Sequence, residues 1–438
     1  MARVLFLTQV LPHPLNSGAK IRAYYVLRQL ARTHDVTLVS FVREDDDAAS
    51  VAHLASFCSA VHPVPMQRSL LRDGRALVKS LLTGMPVVIA RDEIGRMRAV
   101  LRGLLAEAPF DVVHADQTSM VQYALYARER ARQEPKLVLD AHNALYRVPE
   151  RMARHERNVL RRALYRREAR ALKGYEAAAY ARFDHIVFVT EIDRATLFHP
   201  QPSTSNPCPE RSRRVQPATS VIPICVDPED KPVVKRCANP RAVMHLGTMF
   251  WPPNVEGVIW FAREVWPRVV DRVPDAHFVI IGKHPPDAVR QLPDGVRSVY
   301  VTGYVQDPEP YLAETAVFVV PLRAGGGMRV KIVDAWCWGV PVVSTSIGAE
   351  GIAFEDGGTI LIADQPEALA DAVVRVLEDP ALGQRLRDGG RRCVEERYDW
   401  RRVYGEWDEV YNGLTQGRKD KRRNARAQGC KDARRGRG

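Results

Sequence analysis

The sequence contains no apolar run close to the roughly 18–20 residues that a membrane-spanning helix needs. Its seven cysteines are scattered and none forms a C-x-x-C pair, which argues against a disulfide framework or a zinc site. The apolar segment Val4–Leu11 is too short for a signal peptide and is interpreted as a buried first strand. These absences predict a cytoplasmic protein, and they leave open a peripheral position on the inner face of the cell membrane.

The excess of positive charge lies at one end of the chain. Residues 417–438 hold ten Lys/Arg against Asp420 and Asp432, a net +8 of the chain's +12. Few apolar residues accompany them, so residues 415–438 are predicted to form a disordered basic tail. The tail has no aromatic residue to stack on bases, and nucleic acid is therefore not expected as a partner. Contact with anionic lipid and a tail surrounded only by solvent both remain open.

Apolar strands alternate with helices in both halves of the 438-residue chain. In the first half the strand Val4–Leu11 leads into the helix Ala19–Arg32, and the alternation continues to the strand Asp184–Thr190. It restarts at the strand Ala242–Gly247 and reaches the strand Val317–Pro321. Strands that alternate with helices are typical of parallel sheets covered on both faces. The sequence therefore predicts an α/β fold of two doubly wound, Rossmann-like domains that face each other across a cleft.

The predicted boundaries place the N-terminal domain at residues 1–199 and the C-terminal domain at residues 241–397. Residues 200–240 lie between them, and their first half is rich in Pro, Ser and Arg without any periodicity, which is typical of an insertion and linker. Residues 398–414 are rich in Trp and Tyr and are predicted to form a last helix that packs across both domains. Ligands of doubly wound sheets bind at the carboxyl ends of the strands, so the cleft is the expected site.

Residues 323–334 carry the strongest functional signal. Three consecutive glycines follow an apolar strand and precede a helix, so the backbone is able to approach a ligand closely and the first N–H groups of the helix are free to bind an anion. Arg329 and Lys331 add two positive charges, and Asp334 is placed to accept hydrogen bonds from ribose hydroxyls. The pattern predicts a site for a nucleoside diphosphate. A glycine-rich connection followed by a basic helix face would show the same residues.

Five short segments occur in an order that resembles a known family: Pro12–Gly18, Asp140–Asn143, Val189–Arg194, Leu246–Asn254 and Gly325–Asp334. Together they resemble the retaining glycosyltransferases of family 4, and most closely the sugar transferases of exosortase-associated (PEP-CTERM) exopolysaccharide systems. The resemblance covers most of residues 1–414. It implies a GT-B fold, in which the C-terminal domain holds the nucleotide-sugar donor and the N-terminal domain holds the acceptor.

The resemblance also implies roles for residues of the glycine turn. The backbone of Gly326 and Gly327 would hold the diphosphate, and Arg329 and Lys331 would neutralise the charge that develops as the glycosidic bond breaks. No metal or other cofactor is then needed. The family pattern has two glutamates eight positions apart, and their places are taken here by Gly326 and Asp334. The Arg and Lys that usually follow the first strand of the C-terminal domain are replaced by the neutral segment 248–254, so Arg329 and Lys331 are expected to supply the missing charge.

The N-terminal domain contributes further candidates. Gly18 precedes a helix whose N–H groups would face the diphosphate from across the cleft, with Arg22 assisting, although an ordinary strand–helix turn has the same appearance. His142 follows a buried strand and would orient the donor sugar and stabilise the oxocarbenium-like state; a histidine that merely ends a strand is the alternative. His114 is interpreted as structural. The acidic run Glu44–Asp47 contains a D-x-D pattern, which we interpret as part of a surface loop rather than a metal site.

Residues 147–173 carry ten Lys/Arg against three Glu and are predicted to rest on anionic phospholipid, unless they form a helix in contact with solvent alone. The predicted function is that of a retaining glycosyltransferase, which moves a sugar from a nucleotide-sugar to a saccharide or lipid-linked acceptor in cell-surface or exopolysaccharide biosynthesis. Two alternatives stay open. One is a nucleotide-sugar epimerase of similar fold, and the other is an inactive nucleotide- or sugar-binding protein.

Overall fold

A computed structural model describes residues 1–67, 69–198 and 217–415 of the protein. The predicted basic tail, apart from residue 415, lies outside the described residues, as does most of the Pro-rich segment that follows residue 199. Within the part of the chain that the structure describes, no helix is long and apolar enough to cross a membrane.

The N-terminal sheet has seven strands, namely β1 (Arg3–Thr8), β2 (Asp35–Val42), β3 (Ala60–Pro65), β4 (Val112–Asp116), β5 (Lys136–Ala141), β6 (His185–Phe188) and β7 (Ala218–Val221). Their order is β3-β2-β1-β4-β5-β6-β7, and all neighbours are parallel. The helices are α1 (Gly18–Leu30), α2 (Ala48–Ala55), α3 (Leu70–Thr83), α4 (Val87–Arg91), α5 (Gly95–Glu107), α6 (Val121–Arg130), α7 (Arg147–His155), α8 (Val159–Tyr180) and α9 (Glu191–Phe198).

The C-terminal sheet has six strands, namely β8 (Ala242–Leu246), β9 (His277–Ile281), β10 (Val299–Gly303), β11 (Thr315–Val320), β12 (Val342–Ser344) and β13 (Leu361–Ile362). They are parallel and lie in the order β10-β9-β8-β11-β12-β13. The helices are α10 (Pro252–Trp260), α11 (Trp266–Val270), α12 (Asp287–Arg290), α13 (Leu292–Gly295), α14 (Glu309–Glu314), α15 (Val330–Cys337), α16 (Pro366–Glu378), α17 (Pro380–Arg397) and α18 (Trp400–Val403).

The two doubly wound sheets confirm the predicted fold class. Central strands such as β4 and β11 are buried along their whole length, because helices cover both faces of each parallel sheet. In each sheet the chain reverses its winding direction at one place, between β1 and β4 and between β8 and β11. Doubly wound sheets bind ligands at such switch points, beyond the carboxyl ends of the strands. The loops after these four strands, together with the loop after β5, form the site described below.

The structure differs from the sequence-based boundaries at two places. Strand β7 joins the N-terminal sheet beside β6, although its residues fall in the segment 200–240 that was predicted to be insertion and linker. The strand has only four residues and lies at the sheet edge, so it lacks the buried apolar run that marks the central strands. Residues 398–414 form α18, a turn at Tyr404 and a second helical run over 405–415, rather than one helix.

The C-terminal segment contacts both domains. After α17 in the C-terminal domain, the hydroxyl of Tyr398 accepts a hydrogen bond from the backbone N–H of Ala353 at 2.7 Å. Further along, the hydroxyl of Tyr411 lies 2.8 Å from Nδ1 of His114 in the N-terminal domain. The segment therefore holds the two domains together on the side of α1.

Candidate active site

Helices α1 and α15 begin next to each other, one in each domain. A Cβ atom placed on Gly18, the first residue of α1, would lie 3.0 Å from Cγ2 of Val330, the first residue of α15. Among the described residues no side chain caps the N-terminus of either helix, and neither helix has an acidic residue in its first turn. The free N–H groups and the partial positive charges of two helices therefore meet at one place in the cleft, which is an arrangement that favours an anion.

The glycine turn packs against the N-terminal domain. Gly327 has φ +73°, and a Cβ atom there would lie 2.9 Å from Cβ of Asn143 and 3.0 Å from the carbonyl oxygen of His142. A side chain at this position would both strain the backbone and push away the loop after β5. At Gly326 the nearest such contact is 3.8 Å, to the carbonyl oxygen of Ala144. The close approach that the glycines permit is thus to the opposite domain, and their contact with a diphosphate stays a prediction.

The amino group of Lys331 lies beside the loop after β8. Its Nζ is 3.1 Å from Oδ1 of Asn254 and 3.4 Å from Nε2 of His245. The buried imidazole of His245 lies 2.9 Å from the carbonyl of Val319 through Nδ1, so this nitrogen carries the hydrogen and Nε2 is left as an acceptor. The Arg and Lys that this loop carries in the family pattern are absent from the sequence. The structure places the amino group of Lys331 beside the same loop.

Burial affects the protonation of the Lys331 amino group. Burial and, to a lesser degree, the charge of Arg329 lower the pKa of Lys331 to about 7. Burial, aided by the charge of Lys331, lowers the pKa of His245 well below its ordinary value, so this imidazole is neutral. Since a nearby anion favours the charged form of an amine, a bound diphosphate is expected to raise the pKa of Lys331 again.

Arg329, which was predicted to neutralise the charge of the diphosphate, is bound to the glycine turn itself. Its Nη1 donates to the carbonyl oxygens of Gly326 and Gly327 at 2.5 and 2.8 Å, and its Nε and Nη2 are buried without a hydrogen-bond partner among the described residues. Burial lowers the pKa of Arg329 to about 10, which leaves it charged at neutral pH. The guanidinium therefore supports the glycine turn by donating to two of its carbonyl oxygens. Its two unpaired donors, Nε and Nη2, are buried and do not reach the open cleft in this structure.

Asp334 lies on α15 one turn after Lys331, as its position in the sequence requires. Its carboxylate forms an ion pair with Lys231, which comes from the linker between the domains. The predicted contact with ribose hydroxyls would have to share the carboxylate with this lysine. The structure therefore adds a partner that the sequence pattern did not indicate, and the ribose contact stays a prediction.

His142 lies at the end of β5 beside two buried carboxylates. Its Nε2 is 2.9 Å from Oδ1 of Asp116, at the end of β4, and 3.6 Å from Oδ2 of Asp140. Burial acts to lower the pKa of His142, but the two carboxylates outweigh it and raise the pKa to about 9. The imidazole is therefore protonated at neutral pH. About a tenth of the side chain is exposed (11%), and Nδ1 makes no hydrogen bond to the residues that the structure describes.

We expect this charge to be measurable. The imidazole resonances of His142 should titrate with a midpoint near 9 in an NMR pH series, against 6.5 for an unperturbed histidine. Because the folded-state pKa is raised, the stability that this group contributes is fully present below about pH 6.5 and is lost as the pH rises through about 9. The variant Asp116→Asn, which removes one carboxylate, should move the midpoint down. An unchanged midpoint near 6.5 in the wild type would contradict the ion-pair network.

Arg22 was predicted to assist at the diphosphate, and this prediction is wrong. The guanidinium is fully buried and donates from Nε and Nη2 to the two oxygens of Asp140, at 2.8 and 3.0 Å. Its Nη1 donates to the carbonyl oxygen of Pro223 and to the hydroxyl of Tyr404. Although burial acts to raise it, Arg22 and His142 hold the pKa of Asp140 below its ordinary value. Arg22 thus fixes the carboxylate behind His142 rather than touching a ligand.

His114 lies in the core, as the sequence analysis expected. Its ring stacks on Phe6 with centroids 4.1 Å apart, and burial lowers its pKa to about 3.

Glu350 joins the domains at the glycine turn and had no signal in the sequence. Its carboxylate accepts hydrogen bonds from Arg151 at 2.8 Å and forms an ion pair with Arg147 at 3.2 Å. Arg151 also donates to the carbonyl oxygen of Gly325. Glu350 stands in an ordinary loop after β12, and its partners stand in a run of many arginines, so no spacing distinguishes this set. Asp116, by contrast, shares with His142 a position at the end of a buried strand.

Two clusters of residues with carboxylates are candidates for a metal site. Among the described residues, the ligand atoms of Asp116, Asp140 and His142 lie within 4.8 Å of one another, a spacing that suits a metal ion. Asp140 is already bound at both oxygens by a guanidinium, and a protonated imidazole cannot ligate, so this group fits an ion-pair network better than a cation. The aspartates of the acidic run 44–47 bind separate partners, which are Lys283, Lys20 and the N-terminus of α2.

Residues 240–379 of the chain match the family model of the group 1 glycosyl transferases. Over 416 residues the chain is 22% identical to an uncharacterized 44.6 kDa protein in the cps region of Klebsiella pneumoniae. The matched region covers 92% of this chain and 98% of that protein. Over 180 residues it is 30% identical to the phosphatidyl-myo-inositol mannosyltransferase of Mycobacterium tuberculosis. This match covers 39% of the chain and spans about half (47%) of the mannosyltransferase.

Solved structures of similar fold extend over nearly the whole chain. Anabaena HepE in complex with UDP and glucose has a TM-score of 0.63 at 15% identity, and the match covers 94% of this chain and all of that one. Sucrose-phosphate synthase from Thermosynechococcus elongatus has a TM-score of 0.67 at 15% identity, with 95% of this chain and all of that one covered. These similarities show the GT-B fold. The match to the group 1 model and the sequence relatives support a glycosyltransferase of polysaccharide or glycolipid biosynthesis.

Proposed function

We propose that the protein is a retaining glycosyltransferase, similar to those of family 4, that transfers a sugar from a nucleoside-diphosphate sugar without a metal. The acceptor is a saccharide or a lipid-linked molecule of cell-surface or exopolysaccharide biosynthesis. The Klebsiella relative from a cps region and the mycobacterial phosphatidyl-myo-inositol mannosyltransferase support this class of acceptor. The exosortase-associated subgroup stays part of the proposal on the sequence resemblance alone.

The observation that carries the proposal is the meeting of two uncapped helix N-termini beside two cations. Gly18 and Val330 begin helices that touch across the cleft. Lys331 and the buried guanidinium of Arg329 lie on the C-terminal side of the same place. A diphosphate carries negative charge that grows when the sugar leaves, and fixed donors and cations stabilise that change. They would supply the charge that a divalent metal supplies in other transferases, so the proposed reaction uses none.

In the proposed reaction the bond between the anomeric carbon and the diphosphate oxygen breaks, and its electron pair stays on the diphosphate. The acceptor hydroxyl attacks the anomeric carbon from the same face and passes its proton to that diphosphate oxygen. Retention of configuration follows from attack on the face that the leaving group occupied. Lys331, once protonated, holds the second negative charge of the leaving group.

His142 assists this step as a hydrogen-bond donor rather than as a base. Its Nε2–H is directed to Asp116, and the protonated Nδ1 remains to donate to a hydroxyl of the donor sugar. A positive charge near an oxocarbenium-like sugar would be unfavourable by itself, but the carboxylates of Asp116 and Asp140 lie directly behind the ring. The His142–Asp116–Asp140 group therefore orients the sugar without adding net positive charge.

The similarities favour a transferase over the epimerase and the inactive binder. The missing first glutamate at Gly326 had suggested an inactive protein. A Cβ atom on Gly326 would lie no closer than 3.8 Å to any other described residue, so the absence of the glutamate leaves space at this position. The charge of Lys331 also reaches the loop after β8, where the family cations are absent.

The test is a product assay with a panel of UDP- and GDP-sugars, with saccharide and lipid-linked acceptors, in the presence of EDTA. The proposal expects release of the nucleoside diphosphate that depends on an acceptor, and a product in which NMR shows the donor's anomeric configuration. Inversion would contradict the retaining mechanism, and activity restored only by a divalent cation would contradict the metal-free site. Conversion of the donor sugar to an epimer without an acceptor would favour the epimerase.

A further inference from the structure

Helix α3 turns most of its apolar side chains toward solvent. Of its fourteen residues, only Ala76 and Ser80 are buried. Leu71 and Leu82 are 80% and 82% exposed, and the other exposed apolar residues of this helix are Leu70, Leu77, Val78 and Leu81. Soluble monomers seldom expose so many large apolar side chains on one element, and such patches mark interaction sites.

Helix α8 extends this patch. Leu160 and Leu164 are exposed, and they lie seven and three residues before Arg167, hence on the same face of the helix. Arg167 donates to the side chain and the backbone carbonyl of Ser80 on α3. The face of α8 that carries the two leucines is therefore the face that reaches α3. We call the exposed apolar residues of α3 together with Leu160 and Leu164 the α3–α8 surface.

Positive charges lie beside the leucines of the α3–α8 surface. Arg161 and Arg162 are the neighbours of Leu160 on α8, and Arg75 lies among the leucines of α3. A cavity of about 450 Å³ opens between α7 and α8. Its polar lining consists of four cations, one tyrosine and one glutamate, namely Arg154, Arg166, Arg170, Lys173, Tyr146 and Glu150. An apolar stripe edged by arginines is complementary to the acyl chains and phosphates of an anionic bilayer.

We propose that the α3–α8 surface docks the protein on an anionic lipid bilayer, with α3 lying in the plane of the interface. Helix α3 has 14 residues and is therefore about 21 Å long. When it lies in the plane of the interface, its exposed leucines enter the acyl boundary along the whole helix. The flanking arginines contact lipid phosphates. The sequence predicted a lipid contact for residues 147–173 only, and the proposed docking adds helix α3 to it. The docking uses no residue of the diphosphate site.

A second copy of the chain is a less suitable occupant. Two such surfaces facing each other would bring two sets of arginines together, whereas a bilayer that contains phosphatidylglycerol presents the opposite charge. Glu168, an acidic residue in the middle of α8, is already bound to the backbone N–H groups of Val87 and Val88 at the start of α4. Its ion pair is with Arg167, which is bound to Ser80 of α3 and is not one of the bordering arginines.

The test is co-sedimentation of the full chain with vesicles of phosphatidylcholine, with and without phosphatidylglycerol. The wild type should bind the anionic vesicles and bind the neutral ones far less. The variant that combines Leu71→Gln and Leu82→Gln should lower the partition coefficient by about tenfold or more, because each leucine loses the burial of a large apolar side chain. The matched control combines Tyr300→Gln and Phe354→Gln, two exposed apolar residues of the C-terminal domain, and should bind as the wild type does.

Thermal melts by circular dichroism check that both double variants fold, which is expected since all four side chains are exposed. The proposal is overturned if the wild type ignores anionic vesicles, or if the α3 variant binds as strongly as the control does. The second result would assign binding to charge elsewhere, such as the basic tail. A wild-type dimer in light scattering that the α3 variant loses, without vesicle binding, would assign the surface to a second copy.

Discussion

Replacement of Lys331 by alanine is expected to lower the rate of sugar transfer by about 10²–10³-fold, the usual effect of removing one fixed donor from a developing negative charge. The ammonium lies at the loop after β8 beside Asn254 and His245, and the described residues place no carboxylate against its Nζ. Its charge is thus available to the diphosphate. The measurement is the steady-state release of nucleoside diphosphate by wild type and variant with the same donor and acceptor.

The control for this prediction is Lys235→Ala, which removes an exposed lysine of the linker and should leave the rate unchanged. The stability of Lys331→Ala, unlike its activity, should not fall. Since burial lowers the pKa of Lys331 to about 7, the buried amine is a cost to the folded protein, and its removal should not lower the melting temperature. A variant that folds and keeps the full rate would show that Lys331 does not contact the leaving group.

The substitution Arg22→Met should lower the free energy of unfolding by about 3–5 kcal/mol, because it leaves the buried carboxylate of Asp140 without its partner. The guanidinium also packs against the ring of Trp407, with 5.0 Å between Cζ and the ring centroid. Urea denaturation followed by tryptophan fluorescence measures the change. The same variant should lower activity, because Asp140 helps to hold the charge of His142.

Arg96→Met is the matched control, since Arg96 is exposed on α5 and the same atoms are removed from it. It should change the unfolding free energy by well under 1 kcal/mol, as surface substitutions usually do. If the unfolding midpoint of Arg22→Met coincided with that of the control, the buried ion pair would not be a stabilising element. The stabilisation expected from the Arg22–Asp140 pair would then be wrong.

Much of the fold was predictable because parallel sheets leave a strong apolar signal. Central strands such as β1 and β11 are buried on both faces, so their residues form continuous apolar runs between turns. The elements that the sequence analysis did not identify lack this signal for separate reasons. Strand β7 is a four-residue edge strand, and the leucines of α3 face solvent instead of a core. A search for helices with one buried apolar face does not identify α3, because its leucines are exposed.

The places of the candidate residues in the fold were predictable, whereas their hydrogen-bond partners were not. Gly18, Lys331 and His142 follow strand ends or glycine turns, and such places meet at the cleft of a doubly wound fold. Hydrogen bonds between distant residues have no such signature. Arg22 and Asp140 are 118 residues apart, and only the structure shows that the guanidinium turns to the carboxylate and away from the ligand.

The most direct test of the central claim, a metal-free diphosphate site at the meeting of α1 and α15, is a thermal-shift titration with UDP, GDP and ADP, in EDTA and in Mg²⁺. At about 100 times its dissociation constant a ligand stabilises a folded protein by about 2.7 kcal/mol. We predict a shift with one nucleotide that is equal in EDTA and Mg²⁺, lost in Lys331→Ala and kept in Lys235→Ala. A shift that requires Mg²⁺, or one that survives in Lys331→Ala, would contradict the assignment.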